Sequence, residues 1–225
     1  MGVIHGAVRS STWIDSPWRL EDATGKLNGL LCERTSRERF ATMFWSYFDP
    51  QTRFLYYVNA GHLPPLLFRK GAETPVRLSN GGPILGLLPD AGFEQGAIRF
   101  EVGDVLVLYS DGVVEAENPA GEQFGQERVA EAVTRSLEKT ADEIRDHILA
   151  SLRAFTGQTQ LEDDGTLLVV RHQNTAARQI AKARSQLGPQ LLAQSLDSVF
   201  LGMRRGGGSR QGAALADLAA NWQQG

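Results

Sequence analysis

Asp111-Gly112 follows directly on the apolar run VLVLYS, and Asp163-Asp164 stands just before the apolar run TLLVV. If the two runs are antiparallel strands of one sheet, the end of the first lies beside the start of the second. The acids then converge at one edge of that sheet. Carboxylates that converge without basic partners repel each other, and a bound divalent cation is the natural compensation. Oxygen-only ligands favour a hard ion, Mn2+ or Mg2+. The same residues have a plainer reading, because Asp-Gly is a common turn pair and acids often end strands as solvated groups. The residues alone leave both readings open.

Other reactive side chains fall into no catalytic pattern. Asn59-Ala60-Gly61-His62, followed by Leu63-Pro64-Pro65, ends an aromatic strand. It reads either as a turn or as a strand exit that places an imidazole in a site. Gly81-Gly82-Pro83-Ile84-Leu85-Gly86-Leu87 is rich in glycine, but no helix opening with Lys-Ser or Lys-Thr follows, so it is not a nucleotide P-loop. His5 and His147 have no partners at metal spacing, and His147 is expected on a solvated helix face. Cys32 is expected to be a small packing residue. There is no Gly-x-Ser-x-Gly elbow.

The elements that must hold these residues are mixed. Ser16-Pro17 reads as a helix start, and Leu20, Ala23, Leu27, Leu30 and Leu31 recur at helical spacing after it. FATMFWSYF (40–48) and RFLYYVNA (53–60) flank Asp49-Pro50-Gln51-Thr52 and predict a hairpin. PLLFRKG, PVRL, AIRFEV and VLVLYS predict further strands. A helix over 126–138 follows, then a second from Thr140 with Glu143 in capping-box position, ending at Gly157. TLLVVR (166–171) is the last strand. Strands joined by short turns, then two helices, then a strand, predict antiparallel sheet with helices packed on it. A parallel doubly wound sheet needs a helix after nearly every strand.

The 225 residues carry 23 Lys+Arg and 26 Asp+Glu, with 42% hydrophobic and 22% charged residues. This excludes collagen, disordered acidic tails and coiled coils. One cysteine excludes an intrachain disulfide framework and a multi-cysteine zinc site. No apolar run approaches the roughly 18–20 residues of a membrane span, and the N-terminus lacks a signal-peptide pattern. A cytoplasmic location is the default expectation, and the net charge of −3 gives no argument for nucleic acid. Charge is uneven: residues 174–225 hold six basic and two acidic residues, leaving 17 basic and 24 acidic in 1–173. The expected organisation is a domain over 1–173 and a loosely ordered, basic Ala/Gln/Gly-rich tail over 174–225, with a helix over 176–200.

Taken in order, FATMFWSYFDPQTRFLYYVNAGHLPPLL, GGPILGLLPD, GDVLVLYSDGVVEAENPAGEQFG and DDGTLLVVR resemble the C-terminal two-thirds of a SpoIIE/RsbU-type serine/threonine phosphatase. That family belongs to the metal-dependent PPM superfamily, which includes protein phosphatase 2C. The resemblance covers about residues 1–172. It implies an α+β fold, an α-β-β-α sandwich of two antiparallel sheets flanked by helices. It implies hydrolysis of phosphoserine or phosphothreonine in a protein by water activated between two Mn2+ or Mg2+ ions. A phosphoprotein substrate, such as a bacterial anti-sigma-factor antagonist, is implied with it. By motif, Asp111 of Ser-Asp-Gly and Asp163 of Asp-Asp-x-Thr are implied metal ligands, with Asp164 the secondary candidate. Asn59 to His62 match a loop motif with a structural role.

The family's remaining metal ligands lie in an acidic strand with a Gly-Asp pair and in an Asp-Val-Ser-Gly-His-Gly-like turn before its first long helix. MGVIHGAVRSSTW resembles that helix, and no acid precedes Asp15. The expectation is therefore a domain lacking its first strands, with an exposed sheet edge and a tendency to self-associate. Two ligands alone would bind a hard cation weakly. The alternative function is a catalytically incomplete homologue acting as a regulatory binding module, and a third is a scaffolding domain whose Asp positions are turns.

Overall fold

The structure is a computed structural model and describes residues 19–34, 40–157 and 165–173. The expected helix start at Ser16-Pro17, His5, Asp163, Asp164 and the tail from 174 lie outside the described residues.

Helix α1 (Leu20–Arg34) buries Leu20, Ala23, Leu27 and Leu31, the positions that recur at helical spacing. It is followed by the hairpin β1 (Met43–Asp49) and β2 (Phe54–Ala60), paired antiparallel from Met43↔Ala60 to Asp49↔Phe54. Next come β3 (Leu66–Phe68), β4 (Val76–Arg77), β5 (Gly81–Gly82), β6 (Gly96–Arg99) and β7 (Val105–Tyr109). One-turn helix α2 (Asp111–Val114), α3 (Gly125–Thr134), α4 (Ala141–Thr156) and β8 (Leu167–Arg171) complete the order.

The strands form two four-stranded sheets. In one, β2 pairs with β1, β5 and β6; the other has the order β4-β3-β7-β8. Alternation along the strands sorts side chains into three core layers. Met43, Trp45, Val58 and Ala60 face α1. Phe44, Leu55, Tyr57, Leu67, Leu106 and Leu108 meet between the sheets. Leu66, Phe68, Val105, Val107 and Tyr109 face α3 and α4, meeting Val129, Val133, Ile144, Ile148 and Leu152. The result is the expected α-β-β-α sandwich, because β7 is apolar on both faces and each face has its own partner layer.

The pairing is antiparallel except at β5, which runs parallel to β2 through Asn59↔Gly81 and Ala60↔Gly82. The sequence pattern predicts loop at these glycines. A Cβ at Gly81 would overlap the Asn59 carbonyl, so the approach requires glycine. The first of the paired helices is also shorter than 126–138. It ends at Thr134, where the Ser136 hydroxyl donates to the carbonyls of Ala132 and Val133. Helix α4 keeps both predicted ends: the Thr140–Glu143 capping box is formed, and Gly157 stops the helix with φ 67°. His147 is half-buried rather than solvated, its Nδ1 2.9 Å from the Ala132 carbonyl of α3.

The β1–β2 turn is closed by Asp49, which is buried. Its carboxylate accepts from the Gln51 N–H at 2.9 Å and the Thr52 hydroxyl at 2.5 Å. The Thr52 bond, then the Gln51 bond, hold the Asp49 pKa below its ordinary value of 3.8. A depressed carboxylate pKa stabilises the fold above the ordinary value and loses that effect as pH falls through the depressed one. Asp49→Ala should therefore lower Tm at pH 7, and the deficit should narrow as the pH is taken below 3.8. Thermal melts across pH check this; a deficit that is constant with pH would contradict it.

Candidate functional site

β7 and β8 pair antiparallel over their whole length, from Val105↔Arg171 to Tyr109↔Leu167. The ladder continues one step beyond the strands. The Ser110 N–H donates to the Thr166 carbonyl at 3.0 Å, and the Thr166 N–H donates to the Ser110 hydroxyl at 2.8 Å. The chain thus enters β8 at the end of the sheet where Asp111 leaves β7, so the two strands are antiparallel neighbours as predicted. Asp111 is half-buried and opens α2. Its Oδ1 accepts from the Gly112 N–H at 3.0 Å, and its carbonyl accepts from the Glu115 N–H at 2.8 Å. The short helix, buried through Gly112, Val113 and Val114, fixes where the carboxylate starts.

The Asn59–His62 segment lies at the same end. β3 runs antiparallel to β7 with Leu66 opposite Val107, so the residues before Leu66 approach the end of β7. The buried Tyr109 hydroxyl donates to the Pro64 carbonyl at 3.2 Å. Burial pushes the Tyr109 pKa up to about 12, so the phenol stays neutral and serves as a donor. Asn59 is buried and spans the turn. Its Oδ1 accepts from the His62 N–H at 2.8 Å, and its Nδ2 donates to the Leu78 carbonyl at 3.3 Å. Gly61 supplies φ 69° at the tip. The His62 Nδ1 lies 2.7 Å from the Leu63 carbonyl. These contacts make the segment a pinned turn, the structural alternative of the two the sequence allowed.

Among the described residues no three His, Cys, Asp or Glu side chains form a group able to hold a metal. The Asp111 carboxylate offers oxygen donors at this end of the sheet. That chemistry suits a hard divalent cation. Sequence reasoning missed Tyr109 and Ser110, which tie the strand end to its neighbours.

Residues 1–173 match the family model described as stage II sporulation protein E (SpoIIE). The chain belongs to the SpoIIE family. Among curated relatives of this SpoIIE-family chain, Protein IcfG of Synechocystis sp. is 32% identical over 131 residues, covering 58% of the chain and 20% of IcfG. Phosphoserine phosphatase RsbU of Bacillus subtilis is 30% identical over 148 residues, covering 64% of the chain and 43% of RsbU. The chain therefore spans less than half the length of either. The PP2C phosphatase domain of SpoIIE from Bacillus subtilis, solved with a fragment of its regulatory domain, superposes with a TM-score of 0.58 at 25% identity. The match covers 76% of this chain and 47% of that one. A manganese-presoaked form of that phosphatase domain superposes with a TM-score of 0.51 at 23% identity, covering 76% and 74%.

The pinned turn has a measurable consequence. Asn59→Ala strands the His62 N–H and the Leu78 carbonyl, which should cost about 1–3 kcal/mol. Urea denaturation should show an earlier midpoint at unchanged slope. An unchanged midpoint would mean that the side chain does not hold the turn.

Proposed function

We propose that the chain is a metal-dependent protein serine/threonine phosphatase. Its substrate would be a phosphorylated bacterial regulatory protein such as an anti-sigma-factor antagonist. The observation that supports this reading is the antiparallel β7–β8 register, which sets Asp111 at the same end of a SpoIIE-family sandwich as Thr166, the residue that closes the Asp163-Asp164-Gly165-Thr166 motif in sequence. The kinship with a phosphoserine phosphatase supports the substrate class.

In this reading Asp111 and Asp163 hold Mn2+ or Mg2+, with Asp164 the secondary candidate. The bound metal would supply an activated water and offset charge on the phosphoryl oxygens. The chain's own residues do the positioning. The Gly112 N–H holds one oxygen of Asp111, and α2 keeps the carboxylate at the sheet edge. Ser110 and Thr166 lock the two strand ends together. Tyr109, its phenol kept neutral by burial, ties the neighbouring turn to the same end.

Phosphate release from a serine-phosphorylated antagonist, measured with Mn2+ and with EDTA, tests the proposal. Turnover should require the metal. Asp111→Asn should reduce it by ~100-fold or more, since even groups that merely orient a metal ligand are worth 10–100-fold, while Tm stays within a few degrees. Metal-independent turnover, or full activity of Asp111→Asn, would contradict it.

The edge strand β8 supports self-association as well. Its five residues are all half-buried, and its apolar side chains feed two core layers. Among the described residues β8 pairs only with β7. Sedimentation velocity should show a concentration-dependent dimer, and a monomer at every concentration would count against this.

A further inference from the structure

Ser110 stands where β7 gives way to α2, and its polar groups are divided between the two. In a regular antiparallel ladder, facing residues of this kind exchange two backbone bonds. One of them forms, from the Ser110 N–H to the Thr166 carbonyl at 3.0 Å. The other does not reach the Ser110 carbonyl. That carbonyl closes the first turn of α2, accepting from the Val113 N–H at 3.1 Å. The Thr166 N–H donates instead to the Ser110 hydroxyl, at 2.8 Å. The hydroxyl thus stands in for a backbone acceptor that the helix has taken.

The hydroxyl forgoes its ordinary use to do so. Ser110 is the N-cap residue of α2, with extended backbone at φ −88° and ψ 170°. A serine there ordinarily accepts from the second or third N–H of the helix. Ser110 makes no such bond. Both N–H groups are engaged otherwise, Gly112 by the Asp111 carboxylate at 3.0 Å and Val113 by the Ser110 carbonyl. Thr166 is exposed, so water can replace the hydroxyl at little cost to the fold. The value of the bond therefore lies in where it holds the chain.

That place bears on the candidate metal site. Ser110 immediately precedes Asp111, and Thr166 closes the Asp163-Asp164-Gly165-Thr166 motif in sequence. The bond joins the neighbour of one candidate ligand to the motif of the other. Groups that hold the chain beside a ligand, without touching the ion, set how well the donors are placed, and their loss weakens metal affinity. Alanine at 110 would leave these two residues joined by the Ser110 N–H bond alone. Threonine keeps the hydroxyl and suits an extended backbone.

We propose that Ser110 is a positioning residue of the metal site, its hydroxyl holding the chain at Thr166 against the Asp111 end in place of the carbonyl that α2 withdraws. This rests on the metal-dependent phosphatase reading. The test is titration of Mn2+ into the full chain, with the free ion followed by EPR, for the wild type, Ser110→Ala and Ser110→Thr. Each protein is also melted without metal. Ser110→Ala should weaken Mn2+ binding by ~10-fold or more, the scale of a lost partner behind a metal ligand. Ser110→Thr should bind as the wild type does. Without metal, amide exchange at Thr166 should quicken in Ser110→Ala alone. Equal Mn2+ affinity in the wild type and Ser110→Ala, with or without a lowered Tm, overturns the proposal, because the bond then serves only the ladder. So does a Ser110→Thr variant as weak as Ser110→Ala, since the hydroxyl is then not the cause. Equal affinity with metal-dependent phosphate release overturns the positioning role alone. Affinity that depends on Ser110, without release of phosphate from a phosphoserine protein, overturns the phosphatase reading alone. A wild type that binds no Mn2+ overturns both.

Discussion

The antiparallel register of β7 and β8, with Tyr109 opposite Leu167, is the constraint on which the candidate site depends. Side chains alternate across a strand, so a slip of one residue would send each apolar residue to the wrong layer. Val105, Val107 and Tyr109 belong to the layer under α3 and α4, and Leu106 and Leu108 to the layer between the sheets. Leu167 and Val169 follow the first group, Leu168 and Val170 the second. The register is therefore set by two cores at once. The approach of the Asp111 end of β7 to Thr166 is a by-product of that packing.

The same end of the sandwich is reinforced by close backbone contacts. Gly81 admits the parallel bridge to Asn59, Asn59 pins the turn at His62, and Tyr109 ties Pro64 to the end of β7. Asn28 does the equivalent for residues 86–89. Each is a buried polar or glycine position whose value lies in geometry.

Much of this was legible from residue patterns. Alternation and turn residues marked the β1–β2 hairpin, β7 and β8, and the capping box and Gly157 marked both ends of α4. What periodicity could not show was what lies across an interface. Helical spacing sets His147 outside the apolar stripe and predicts a solvated ring, yet the ring reaches the Ala132 carbonyl of α3. β5 escaped because two glycines carry no side-chain signal, and the pairing is visible only from the Asn59 side. Asn28 did leave a trace, a polar residue between Leu27 and Leu31 on a buried stretch of α1, but its partners are about 60 residues away. For the candidate site, Asp111 stood out through its place after an apolar strand. Ser110 and Tyr109 did not, since their roles arise from pairing and from a turn in another strand.

The central claim is that the β7–β8 register creates one cation site from two distant segments. Paramagnetic broadening by substoichiometric Mn2+ in the amide NMR spectrum tests it most directly. The account predicts that the amides of Ser110, Asp111 and Gly112 broaden together with those of Asp163 to Thr166, and that Asp111→Asn removes both effects at once. Broadening of one segment without the other, or broadening that survives Asp111→Asn, would contradict it.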